Sequence, residues 1–250
     1  MYENRERAVL DALKEKQSIS INTLKKLLYV SDSTIRRTLA SMEEKGLIIR
    51  SHGKVCSLSV YANKNTSFFE RESFEKSVKS KIAERAVRDA VKDGYVIMID
   101  ASSTAMCAVE SLKLYNDLIV ITSGIKTIYY LNESDIRYIS TGGRAINASY
   151  SFVGQTAINT IRTFNADVCL LSCHGLSETG YATDTSEEEN FVRRAMMENS
   201  KRKILLIDGT KENKGFYHNL AHISEFDDVY CNVKLSDKIL KTIKNFHLVE

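Results

Sequence analysis

The chain has 250 residues, 43% hydrophobic and 27% charged, with five cysteines, no proline and a net charge of +3, an ordinary globular composition. No apolar run approaches the roughly 20 residues that span a bilayer, the N-terminal MYENRERAVL lacks the apolar centre of a signal peptide, and an odd cysteine count argues against a disulfide framework. The expectation is a cytoplasmic protein with no membrane partner. The charge is uneven: residues 1–60 hold eleven basic and seven acidic residues (+4), leaving 24 against 25 (−1) in the remainder. A positive excess confined to one end is the footprint expected of a phosphate-contacting module.

In chain order, Glu3 to Lys16 has helical spacing, with Ala8, Val9, Ala12 and Leu13 on one stripe. A second helix, capped by Ser20 or Asn22, carries Leu24, Leu27 and Leu28, and a tight Tyr29-Val30-Ser31 turn leads into a third. The third helix buries Ile35, Leu39 and Met42. Its opposite face carries Ser33, Arg37, Ala40, Ser41 and Glu44, flanked by Thr34 and Arg36, and Ser31 stands at its cap. Gly46 stops it, and Leu47-Ile48-Ile49 opens a strand ending on Arg50, His52 and Lys54. A small, hydroxylated and basic helix face fits a major groove, where arginine reads guanine edges. The pattern predicts a winged helix-turn-helix over 1–60, with Ser31, Ser33, Thr34, Arg36, Arg37, Ser41, Arg50 and His52 as DNA contacts and double-stranded operator DNA as partner. Such a helix can equally be a solvated surface element, and it is the two helices and turn before it that favour DNA.

Residues 61–74 turn polar and are expected to be a linker. From Glu75 helices alternate with short apolar strands. Ile82, Ala83, Ala86, Val87, Ala90 and Val91 form one helical stripe, followed by strands at Tyr95–Asp100, Leu118–Thr122, Ile136–Thr141, Val168–Ser172, Lys203–Asp208 and Val229–Val233. Helices are expected over Thr104–Leu114, Ile125–Leu131, Gly154–Phe164 and Glu187–Ser200. Apolar strands separated by helices predict an α/β domain over 75–250 with a mostly parallel sheet covered on both faces. Ligands bind such sheets beyond the strands' C-terminal ends. Five of those ends are rich in hydroxyls or glycine: Asp100-Ala101-Ser102-Ser103-Thr104, Thr122-Ser123-Gly124, Thr141-Gly142-Gly143-Arg144, Ser172-Cys173-His174-Gly175 (before Asp184), and Asp208-Gly209-Thr210-Lys211. Each alone is an ordinary turn. Together, with Arg144 and Lys211 as cations, they suggest a polyol bearing a phosphate, held on the loop that opens the helix at Ser103 and charge-paired by Lys211.

The segment VSDSTIRRTLASMEEKGLIIRSHG resembles the N-terminal signature of the DeoR family of bacterial sugar-responsive repressors. It departs at Thr38, where an acidic residue is usual, and at Lys54, which replaces a glycine after His52. Further on, DASST is similar to the family's phosphate loop, and ITSG, TGGR, DVCLLSCHGLSETGYAT, FVRRAM and LLIDGTK are similar to later family motifs. Cys173-His174 stands where small or amide residues are usual. The resemblance implies a sensor domain with a fold similar to ribose-5-phosphate isomerase and a phosphorylated sugar effector. The effector residues it and the strand ends point to are Asp100, Ser102, Ser103, Thr104, Thr122, Ser123, Gly142, Gly143, Arg144, His174, Gly175, Asp184, Asp208 and Lys211. A homodimer or homotetramer is expected, since one weakly basic module has too few phosphate contacts to bind specifically alone.

An isomerase is the main alternative, with Asp100, Asp184, Asp208, Lys211 and His174 available as acids and bases. A fused DNA-binding module favours sensing over turnover, and fold likeness alone does not license an activity. No cofactor is expected, because neither a P-loop nor a strand-linked dinucleotide fingerprint occurs. A metal at Cys169, Cys173 and His174 lacks a fourth ligand and is not expected.

Overall fold

The computed structural model describes residues 2–15, 18–44, 48–51, 54–57 and 68–250. Their contacts divide into two units, Met1–Phe74 and Glu75–Glu250.

In the first unit three helices, α1 (Tyr2–Glu15), α2 (Ile21–Leu28) and α3 (Asp32–Glu44), pack beside a three-stranded antiparallel sheet of β1 (Ser18–Ser20), β3 (Lys54–Ser57) and β2 (Ile48–Ser51). Ser20 caps α2 by accepting from the Thr23 amide at 3.0 Å, and Ser31 caps α3 by accepting from Thr34 at 3.3 Å. Val9, Leu13, Leu24, Ile35, Leu39, Met42, Ile48 and Val55 form a closed core. Each is worth roughly 1.5–3 kcal/mol of burial where large, which is what holds so small a unit together. The turn between α2 and α3 places Tyr29 in the left-handed region, at φ 51°. The expected linker needs one correction: Phe68–Ser73 forms a helix, α4, with Phe68 buried against this unit. Residues 58–67, Gly46 and His52 lie outside the described residues.

The second unit is built on a seven-stranded sheet in the order β15-β14-β12-β9-β4-β5-β6, parallel throughout. The strands are β4 (Val96–Ile99), β5 (Ile119–Thr122), β6 (Arg137–Ser140), β9 (Ala166–Leu171), β12 (Ser200–Ile207), β14 (Asp228–Cys231) and β15 (Phe246–Leu248). Successive side chains alternate between two cores. Ile97, Ile99, Val120, Val168, Leu170, Ile204, Leu206 and Tyr230 face α5 (Lys76–Ala90) and the short helices α6 (Ser103–Met106) and α7 (Ala108–Leu112). Met98, Ile121, Cys169, Leu171, Leu205, Ile207, Val229 and Cys231 face the other layer, which holds α9 (Gln155–Arg162) and α10 (Glu187–Glu198). Helix α8 (Ile125–Leu131) joins β5 to β6, and α11 (Asp237–Leu240) precedes β15.

Two small antiparallel sheets decorate the C-terminal side of these strands. One is the hairpin β7 (Arg144–Ile146) and β8 (Ser151–Val153); the other is β10 (Gly175–Leu176), β11 (Tyr181–Asp184) and β13 (His218–His222). At the sheet's far edge, His247 stacks on Tyr230 with ring centroids 4.2 Å apart and bonds Asp228 at 2.8 Å, so β15 is tied to β14 by side chains as well as by backbone. Successive connections run outward from β4 through β5 to β6, whereas β9, β12, β14 and β15 lie on its other side. The strand order therefore reverses between β4 and β9. A crevice beyond the C-terminal ends of those two strands is where an open α/β sheet takes its ligand.

Candidate functional site

On α3 the exposed residues are Asp32, which pairs with Lys25, and Ser33, Arg36, Arg37 and Ala40, with Thr34 half-buried. The helix presents a basic, small-residue face because Ile35, Leu39 and Met42 are drawn into the core on its other side. Ser41 does not belong to that face. It is part-buried, and its hydroxyl donates to Glu6 of α1 at 3.4 Å, a helix–helix contact. Ser31 is exposed, and its oxygen meets the Thr34 amide and the Ser33 and Thr34 hydroxyls at the start of the helix. Arg50 lies on β2. Thr38, at the position where the resemblance calls for an acid, is 1% exposed, and its hydroxyl has no partner among the described residues.

In the second unit the ends of β4, β9 and β12 converge. Asp100, 1% exposed, follows β4, and its carboxylate collects donors from both sides of the crevice. Oδ1 accepts from the Ser102 amide at 3.0 Å, and Oδ2 from the Ser172 amide at 3.2 Å and Arg193 Nε at 2.7 Å. Ser102 caps α6 through the Ala105 amide at 3.1 Å. From β12, Lys211 extends over the crevice: its Nζ donates to Ser172 Oγ at 2.7 Å and Thr104 Oγ1 at 3.2 Å, and lies 3.7 Å from Asp208. A second ammonium approaches the same loop from α5, where Lys79, 3% exposed, donates to Ser103 Oγ at 3.4 Å. Burial alone would raise the Asp208 carboxyl, but Lys211 and Lys79 outweigh it and hold it below its ordinary value. Helix α6 is only four residues long, so the positive character of this loop comes from the two lysines more than from a helix dipole.

Behind the loop stands Arg193 of α10, with 4% of its side chain exposed. It pairs with Asp100 at 2.7 Å, Asp184 at 2.8 Å and Glu189 at 3.5 Å, and donates to Asn190 at 3.0 Å. Burial would favour the neutral form of Asp184. Arg193, His174 and the Ser186 amide nevertheless hold its carboxyl far below the usual range. Asp100 and Asp184, expected as effector contacts, are buried and bonded to groups inside the protein. His174 sits on Asp184, with Nδ1 2.8 Å from Oδ2 and its side chain 20% exposed.

The remaining expected residues divide. Ser123 lines a narrow recess together with Asp100, Ser151, Glu189 and Arg193. Thr122 is spent on structure, donating to the Ile99 carbonyl at 2.7 Å while accepting from the Gly124 amide at 3.0 Å. Gly143, at φ 106°, lets the chain pass so close to β8 that a Cβ would lie 2.5 Å from the Val153 carbonyl, and Gly142 is at φ 60°. Arg144 does not join the lysines; it is exposed and pairs with Glu188 of α10. Gly175 is a close-packing glycine, since a Cβ would lie 2.3 Å from the Lys214 carbonyl. Lys79 and Arg193 were missed from the sequence. Each stands in register with a buried helical stripe, Lys79 one turn before Ile82 and Ala83, and Arg193 one turn before Met196 and Met197. A charge on an apolar stripe was the available signal.

Burial pushes the Cys169 and Cys173 thiols up to about 12, which keeps them protonated and poor metal ligands at neutral pH. Among the described residues, no group of three or more His, Cys, Asp or Glu side chains is placed to hold a metal, and no helix is long and apolar enough to cross a membrane.

Comparison with known proteins agrees with both units. Residues 5–60 match the DeoR-like helix-turn-helix domain, and residues 75–232 match the DeoR C-terminal sensor domain. An uncharacterized helix-turn-helix transcriptional regulator of Bacillus subtilis is 32% identical, over 96% of this chain and 93% of its own. The repressor GlcR of Bacillus subtilis is 31% identical over 91% and 87%, and the glycerol-3-phosphate regulon repressor of Escherichia coli 25% over 98% and 96%. Among solved structures, a ribose 5-phosphate isomerase of Methanocaldococcus jannaschii aligns with 56% of this chain and 55% of its own at 17% identity and a TM-score of 0.42. The matches to both domain models, over the two units in which the chain folds, make it a member of the DeoR family of helix-turn-helix transcriptional regulators.

Proposed function

We propose that the chain is a repressor whose hold on operator DNA is controlled by a phosphorylated sugar or polyol bound in the crevice between β4 and β9. The observation that carries this reading is the convergence of two ammonium groups, Lys211 and Lys79, on the hydroxyls of Ser172, Thr104 and Ser103. Lys211 and Lys79 bring positive charge to a partly buried, hydroxyl-lined recess, which suits a phosphate dianion. Arg193 and its carboxylates supply the frame behind the loop. Two of the relatives are repressors by name, and one of those names specifies a phosphorylated three-carbon polyol regulon. On the DNA side, Arg37 is read as a base contact and Arg36 as a phosphate contact, with Ser33 and Thr34 beside them.

Isothermal titration of the parent and Lys211→Ala with a panel of sugar phosphates tests the effector site. The variant should bind about 1.5–3 kcal/mol more weakly, the worth of a hydrogen bond to a charged group, with effector-free DNA binding unchanged. Unchanged affinity would place the phosphate elsewhere. The same reading requires more than one copy on the operator, because one +4 module offers too few phosphate contacts for specific affinity at cellular salt. Sedimentation of the full chain at micromolar concentration should show a dimer or tetramer; a monomer would refute it.

A further inference from the structure

The two lysines account for one end of a ligand. We propose that His174 reads the other: its Nε2 accepts a hydrogen bond from a hydroxyl of the effector, so that the crevice selects phosphorylated polyols and sugars over phosphorylated carboxylic acids. This rests on the effector reading of the crevice and adds a ligand class to it.

The position is right for such a contact. His174 lies two residues beyond Ser172, whose hydroxyl touches Lys211 Nζ at 2.7 Å. Two residues span at most about 7 Å, the reach of a small phosphorylated polyol. The ring is also held still. Its backbone amide donates to Thr183 at 3.0 Å, its Nδ1 meets Asp184 at 2.8 Å, and Phe216 packs edge-on with centroids 5.9 Å apart.

That fixed contact sets the chemistry of the free nitrogen. Asp184 is wholly buried, and its carboxylate is surrounded by donors: the Thr185 and Ser186 amides on Oδ1, and Arg193 with His174 on Oδ2. An ionised carboxylate only accepts, so Nδ1 carries the hydrogen. In the neutral ring Nε2 then presents a lone pair. Among the described residues it has no hydrogen-bond partner, and a fifth of the side chain is open to solvent. A ligand hydroxyl can donate to that lone pair. A ligand carboxylate meets it acceptor to acceptor, with the Asp184 charge directly behind. The family resemblance puts small or amide residues here, so this selectivity is a property of this chain.

Matched ligands test it: glycerol 3-phosphate against 3-phosphoglycerate, and glucitol 6-phosphate against 6-phosphogluconate, each pair differing in an alcohol or a carboxylate at the far end. Inorganic phosphate serves as a probe of the lysine end alone. The full chain is titrated at about pH 8. The parent should favour the alcohol of at least one pair by roughly tenfold or more, the size of one net hydrogen bond. His174→Phe should bring the ratio to near unity and leave inorganic phosphate binding unchanged. His174→Asn, which keeps an acceptor, should retain part of the preference. A ratio unaltered in His174→Phe, a parent that favours the acids, or loss of inorganic phosphate binding in that variant would each overturn the proposal. If phosphate binding depends on Lys211 while the ratio ignores His174, the effector site stands and only this assignment falls. If none of the five compounds binds the parent, both fall.

Discussion

Replacing Arg193 by methionine isolates what the buried charge cluster contributes. The guanidinium, 4% exposed, is shared by three carboxylates at 2.7, 2.8 and 3.5 Å, all of them nearly or fully buried. Removing it leaves those acids in a low-dielectric site with backbone donors as their main compensation. Breaking a buried pair from one side costs about 3–5 kcal/mol, which for a domain of this size lowers Tm by roughly 6–20 °C. The sign of the pH dependence follows from Asp184. Its folded-state pKa is depressed, so its pairing stabilises the parent above about pH 4, the ordinary aspartate value, and that contribution fades as pH falls. Without Arg193, burial becomes the leading influence and favours the protonated acid, so the variant should lose stability as pH rises from about 4. The gap between parent and variant should therefore widen from about pH 4 to 7 and close in acid. Urea denaturation across that range, with Arg193→Met/Asp184→Asn as a partial rescue, measures it. A loss below about 1 kcal/mol at neutral pH, or a gap that does not change with pH, would refute the view that this cluster is a structural frame.

Other perturbations reach the first unit. Arg37→Ala should cost about 1–3 kcal/mol on the operator and relax specificity at one base position, whereas Arg36→Ala should weaken operator and random DNA alike and flatten the salt slope by about one unit. Uniform losses in both variants, read by titration of operator and scrambled duplexes, would show that the two faces are misassigned. Thr38→Val removes a buried hydroxyl that lacks a partner among the described residues and should stabilise the first unit by about 1 kcal/mol in chemical denaturation; a destabilised variant would mean the hydroxyl is satisfied after all.

Much of this molecule is legible from local pattern because local pattern is what stabilises it. The Ile35, Leu39 and Met42 stripe, the Ser20 cap and six apolar strands each follow from spacing, and they recur in the structure close to their expected places. What escaped is what only tertiary packing decides. Lys79 and Arg193 carry charge on stripes that otherwise look apolar, and burial becomes tolerable only when distant segments bring carboxylates or hydroxyls to them. Asp100 and Asp184 looked like ligand groups because they end strands; Arg193, 93 and 9 residues away, is what occupies them. Ser41 lies on the outer face of α3 by periodicity but is claimed by Glu6, 35 residues earlier. Strands of two or three residues such as β7, β10 and β15 offer too short a run for alternation to show. Helix α4 was hidden in a polar stretch in which Phe68 is buried.

The short strand β15 has a consequence for how this protein behaves outside its function. Sheet edges recruit other chains, and the strand it covers, β14, is buried over all four residues. Three residues of backbone pairing, one stacked ring and one histidine–carboxylate contact are what keep that strand from becoming an open template. A C-terminal fusion that strains Phe246–Leu248 would leave the DNA-binding unit untouched and the crevice intact, yet would bare a ready site for intermolecular strand addition. Damage there would register first as turbidity on standing, long before any change in operator affinity.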